Sequence, residues 1–161
     1  MTRLLIVHHS PTRATQRLTD AVVEGAHDDA IDGVDVIVRA ALDTTLDDVT
    51  GADGYLLGTS ANFGYMSGAL KHVFDSFFLD LGGALSDDGS AGGTSGGRKP
   101  YGLWVHGRYD TAGAVHSVQS IVGALPWLQS APVLEVMGDV DEADVDAARE
   151  LGATLAALLT E

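Results

Sequence analysis

Residues 10–15, Ser-Pro-Thr-Arg-Ala-Thr, place three hydroxyls directly after a greasy run and directly before a stretch of helical period. A helix start leaves backbone N–H groups unpaired and carries the positive end of the helix dipole, so it favours an anion. Ser10, Thr12 and Thr15 would add hydroxyl donors to those amides, with Thr15 one turn into the helix and facing back. Pro11 would hold the turn open, and Arg13 brings a positive charge. The plainer alternative is an N-cap made by Ser10 or Thr12, which needs one hydroxyl rather than three. The preceding His8 and His9 point to opposite faces of a strand, so they do not share a metal. No metal site is expected, and His9 borders the turn.

A second run, Gly-Thr-Ser-Ala-Asn-Phe-Gly-Tyr-Met-Ser-Gly-Ala-Leu-Lys at 58–71, joins small residues to aromatics. Small side chains let backbone N–H groups approach a planar ligand, and Phe63 or Tyr65 can pack on one. The alternative is that this run simply starts a helix and buries its aromatics. No Gly-x-Ser-x-Gly elbow follows a strand, so no nucleophile is assigned and no catalytic side chain is named.

These residues need elements to position them. Five short apolar runs read as strands: 3–9, 34–40, 53–59, 101–107 and 131–137. Several are apolar at consecutive positions, which suits strands covered on both faces of a parallel sheet. Helical spacing fills the intervals at 14–26, 66–79, 115–125 (closed by Pro126) and 142–159, with a short helix around 46–49. Alternation of this kind predicts one α/β domain over 1–161, a three-layer α/β/α sandwich with a five-stranded parallel sheet of order 2-1-3-4-5. In such a sheet ligands sit outside the strand carboxyl ends where the order reverses. The turns after residues 9, 59 and 107 are therefore the candidate site. The Gly/Ser-rich segment 82–97 is expected to be a flexible surface loop, matching neither a dinucleotide fingerprint nor a P-loop.

Composition narrows the function. The chain has no cysteine, which excludes disulfides, thiolate metal sites and cysteine nucleophiles. A net charge of -14 disfavours nucleic acid and anionic lipid. No apolar run reaches the roughly 20 residues of a membrane span, and no leader pattern is seen, so a cytoplasmic location is expected.

The run at 10–15 is similar to the phosphate loop of flavodoxins, with Arg13 and Ala14 where that loop has a glycine and an asparagine. The run at 58–71 resembles the matching loop of the flavodoxin-like NAD(P)H:quinone oxidoreductases, the tryptophan-repressor-binding-protein family, in its Gly-Thr opening and Phe-Gly-x-Met-Ser-Gly run. Here Ser60 and Asn62 replace the usual Pro and Arg. The resemblance implies a flavodoxin-like fold and an FMN cofactor. Ser10, Thr12, Arg13, Ala14 and Thr15 would lie at the phosphate, and Ser60, Ala61, Asn62, Phe63 and Gly64 at the ring, with Met66 and Ser67 opening the next helix. It also implies a rim built from His106, Gly107, Arg108, Tyr109 and Asp110, with Tyr109 over the ring. For Tyr109 the alternative is a solvent-facing side chain, and for His106 a core histidine. The implied activity is electron transfer from NADH or NADPH through FMN to a quinone or similar acceptor, with a homo-oligomer among the family's assemblies. A flavodoxin-type electron carrier is the alternative, favoured by acidity and size. A domain binding some other phosphate ligand is the third.

Overall fold

The computed structural model describes residues 1–83 and 98–160. The glycine- and serine-rich stretch expected at 82–97 lies almost wholly outside the described residues. The chain forms β1 (Thr2–His8), α1 (Arg13–Ala26), β2 (Val34–Ala40), α2 (Leu46–Thr50), β3 (Gly54–Asn62), β4 (Tyr65–Met66) and α3 (Gly68–Phe77). Further along the chain come β5 (Lys99–Gly107), α4 (Ala112–Val122), β6 (Trp127–Gln129), β7 (Leu134–Met137) and α5 (Glu142–Leu158).

The sheet runs β2-β1-β3-β5-β6, with β7 also pairing parallel to β5 and β4 pairing β3. The expected order is present, but two details differ from the expectation of five strands. The edge position is shared by β6 and β7, which pair with opposite ends of β5. Pro132 lies between them and has no N–H to give a ladder. The second difference is β4. The segment expected to open a helix at residue 66 instead folds back on β3 as a hairpin, Ala61 opposite Met66 and Asn62 opposite Tyr65.

Alternate strand residues enter two different cores. Leu5, Val7, Tyr55, Leu57, Leu103 and Val105 meet Leu70, Phe74 and Val118 from α3 and α4. Leu4, Ile6, Leu56 and Trp104 meet Leu18, Val22, Leu151 and Leu155 from α1 and α5. Consecutive apolar residues in β1, β3 and β5 are thus explained by helices on both faces. Burying one such side chain contributes roughly 1.5–3 kcal/mol, so each face is firmly held. Gly58 belongs to this packing: a Cβ there would lie 2.0 Å from a ring carbon of Trp104. Helix cover on both faces leaves the strand ends as the place where polar groups gather.

Candidate functional site

The first turn is built as a helix cap. Thr12 is the N-cap of α1; its hydroxyl accepts the Thr15 N–H at 3.2 Å, and the Thr15 hydroxyl accepts the Thr12 N–H at 3.0 Å. This reciprocal box satisfies two amides that a helix start would leave open. Thr15 is buried rather than facing outward, because its hydroxyl also donates to the Thr12 carbonyl at 2.9 Å. Ser10 turns inward as well, toward His8 at 2.8 Å and Thr19 at 2.7 Å. What the turn offers outward is its backbone. Arg13 and Ala14 are the first two residues of α1, and no acceptor among the described residues takes their N–H groups. The sequence alternatives of cap and anion socket are therefore not exclusive: side chains form the cap, and two amides remain.

The second turn is the β3–β4 hairpin. Its tip is Phe63-Gly64, with φ of 51° and 75°. Two successive left-handed residues match the twist of a tight two-residue hairpin. Glycine takes that conformation without cost, whereas phenylalanine rarely does. Phe63 is wholly exposed and Tyr65 is 44% exposed. Below the tip, Ser60 is buried, and its hydroxyl is the one buried side-chain polar atom among the described residues without a hydrogen-bond partner. An orphaned buried hydroxyl costs about 1–3 kcal/mol, so it is a group that a ligand atom would satisfy. Ser67, not Met66, caps α3, accepting the Leu70 N–H at 3.2 Å, while its own N–H is taken by Thr59 at 2.9 Å.

The third turn follows β5. Asp110 accepts the Ala112 N–H at 2.9 Å just before α4, whose N-cap residue is Thr111. Tyr109 is 89% exposed. His106 sits buried, its Nε2 donating to the Gly138 carbonyl at 2.7 Å, and Arg108 reaches Asp139 at 3.4 Å. These two side chains tie the turn to the loop after β7, and His106 pairs in register with Ser60 of β3.

The turns adjoin one another through close backbone contacts. The His9 N–H donates to the Gly58 carbonyl at 3.0 Å, which seats the first turn on β3. A Cβ on Gly107 would come within 3.1 Å of the Ala61 side chain. A Cβ on Gly113 would lie 1.9 Å from the Gly64 carbonyl oxygen, so α4 begins directly against the hairpin tip. Sequence reasoning did not single out Gly113; its signal was a glycine in the first turn of a helix, where propensity disfavours it. Thr19 was missed too, because nothing in sequence links it to a turn nine residues earlier. Among the described residues no group of three or more His, Asp or Glu side chains can hold a metal ion, and no helix is long and apolar enough to cross a membrane.

No protein-family model matches the chain. A protein named flavodoxin from Aquifex aeolicus (strain VF5) is 30% identical over 104 residues, 62% of this chain and 55% of that one. The chain is thus aligned to about half the length of that curated relative. Among solved structures, a flavodoxin from the domain Archaea superposes with a TM-score of 0.80 at 16% identity, covering 99% of this chain and 100% of that one. A flavodoxin, WrbA-like protein from Agrobacterium tumefaciens gives 0.69 at 17% identity, covering 99% and 98%. The flavodiiron core from Synechocystis sp. PCC6803 gives 0.77 at 12% identity, matching 99% of this chain but 36% of that one. At these identities the likeness is one of architecture, and the architecture is flavodoxin-like.

Proposed function

We propose that the three turns bind FMN and that the chain is an oxidoreductase passing electrons from NADH or NADPH, through the flavin, to a quinone or similar small acceptor. The observation that carries this reading is the donor set at the strand ends. It comprises two free helix-start amides, a buried unpartnered hydroxyl and exposed aromatics. An anion at one end and a flat apolar ring at the other suit that arrangement. The flavodoxin-like fold and the named flavodoxin relative support the same cofactor.

In this reading the Arg13 and Ala14 N–H groups, set in place by the Thr12 cap, hold the phosphate, with the α1 dipole favouring its charge. Ser60 gives its hydroxyl to the cofactor, which removes the cost of leaving it unpaired. The hairpin 61–64 and the turn 107–110 flank the ring, and Phe63, Tyr65 and Tyr109 supply aromatic faces. FMN supplies the electron transfer when bound, while the chain positions it and sets its surroundings.

The Phe-Gly-Tyr-Met-Ser-Gly run, folded as a hairpin beside α4, favours the reductase. A net charge of -14 favours a second reading, an electron carrier that docks on basic partners. Titration with FMN, followed by oxidation of NADH and NADPH with a soluble quinone, separates these. Sustained nicotinamide turnover supports the reductase. FMN binding without turnover selects the carrier, and failure to bind FMN rejects both.

A further inference from the structure

Behind the first turn, on the α1 side of the sheet, three side chains form a continuous hydrogen-bonded line. His8 Nδ1 lies 2.8 Å from Ser10 Oγ, and Ser10 Oγ lies 2.7 Å from Thr19 Oγ1. His8 is the last residue of β1, Thr19 is buried in α1, and Ser10 is the residue between them that enters the turn. A cleft of about 330 Å³, bordered by His8, Gln16, Asp20, Val23 and Val38, gives the imidazole access to solvent. This line is not needed for the helix cap, which Thr12 and Thr15 make by themselves.

The chemistry turns on one proton. A serine hydroxyl donates once and accepts twice. When the ring is neutral with its proton on Nε2, Nδ1 is bare, and Ser10 gives its proton to the ring and presents only lone pairs toward the turn. When Nδ1 carries a proton, the ring donates to Ser10, Thr19 can donate as well, and the serine proton is free to point outward. Only the second state leaves a Ser10 proton for an anion at the turn.

We propose that His8 is a positioning residue for the phosphate end of the site, its Nδ1 proton setting Ser10 as a donor to the bound phosphate and coupling cofactor affinity to pH. The inference rests on the FMN reading above. Ionisable groups facing His8 are Asp20 from α1 and His9 from its own strand, while β2 offers only Val38 to the cleft. Burial first, then His9, hold the imidazole below the usual histidine value, with Asp20 opposing. In the free chain His8 is therefore neutral at pH 7. A phosphate at the turn favours the charged ring, so binding takes up a proton and tightens as pH falls through the histidine range.

The test compares the full wild-type chain with His8→Asn, whose amide can donate to Ser10 but does not titrate, and with His8→Phe, which removes the bond. Dissociation constants for FMN and riboflavin are measured from pH 5 to 8. The ionisation of the FMN phosphate is common to all three proteins and cancels in their ratio. The mechanism predicts that wild type matches His8→Asn at the acid end and falls about tenfold below it at the alkaline end, for FMN and not for riboflavin. Histidine NMR should show the His8 midpoint rising by about one pH unit when FMN is added, the linked form of the same tenfold. A ratio that stays flat with pH while wild type binds FMN overturns the role of His8. Absence of FMN binding by wild type overturns the cofactor reading instead. His8→Phe binding FMN like wild type at every pH also overturns the proposal, whereas its loss with His8→Asn retained supports it.

Discussion

Replacing Gly113 by alanine tests whether the convergence of the second and third turns matters. The new methyl would sit 1.9 Å from the Gly64 carbonyl oxygen and 2.9 Å from its carbon, both backbone atoms that no rotamer change can move. Ordinary contact begins near 3.4 Å, so α4 and the hairpin tip must part by roughly 1.5 Å. Alanine in a helix gains up to about 1 kcal/mol over glycine. Overpacking costs about 1–3 kcal/mol, and a backbone clash belongs at the upper end of that range. The net expectation is a loss of about 2 kcal/mol, read as a melt lower by about 4–8 °C. Displacing one wall of the ring site on the scale of an ångström should weaken FMN and riboflavin together by at least about tenfold. Inorganic phosphate, held at the other end, should bind as before. Thermal melts and fluorescence titrations of the variant read both effects. An unchanged melt with unchanged FMN affinity would refute the close approach and the reasoning built on it.

Other substitutions separate stability from binding. Ser60→Ala removes an unpaired buried hydroxyl, so the cofactor-free chain should melt at the same temperature or about 2–4 °C higher, while FMN binding weakens; a clear loss of stability would mean that the hydroxyl has a partner in the fold. Thr12→Ala loses the cap of α1 and should destabilise by about 1 kcal/mol, with FMN weakened more than riboflavin; equal weakening of the two would remove Thr12 from the phosphate end. Asp48 accepts from the Thr45 N–H and pairs with Arg39 at 3.0 Å. Burial alone would raise its pKa, but the Thr45 amide and Arg39 more than offset this and hold it below the usual carboxylate value. The stabilisation is thus present above that usual value and fades as pH falls through the lower folded one. Urea melts between pH 2 and 5 should show a steeper acid limb for wild type than for Asp48→Asn, and identical limbs would contradict this.

The order of elements was legible because parallel strands buried on both faces are continuously apolar, as Leu4–Val7 and Tyr55–Leu57 are. The sheet order followed from their number and the connecting helices. The β3–β4 hairpin was not legible. Its tip is Phe-Gly rather than the Asn-Gly that announces such a turn, and its return strand is only Tyr65–Met66. The split edge carried a clue in Pro132, but two strands of three and four residues leave little periodicity to read. At the site, the cap signature around Thr12 was visible in the residues themselves. The inward turn of Ser10 was not, since it depends on His8 and Thr19 meeting across a strand and a helix. The attachment of His106 to Gly138 likewise joins positions 32 apart. Residue type announced which groups were polar, and only the packing decided which of them stayed free.

The most direct measurement is an equilibrium titration of the purified chain with FMN, riboflavin and inorganic phosphate. Tighter binding of FMN than of riboflavin, with phosphate competing against FMN alone, is the result expected from an anion held by the Arg13 and Ala14 amides and a ring held by the hairpin. Equal affinities for FMN and riboflavin, or no binding of either, would contradict it.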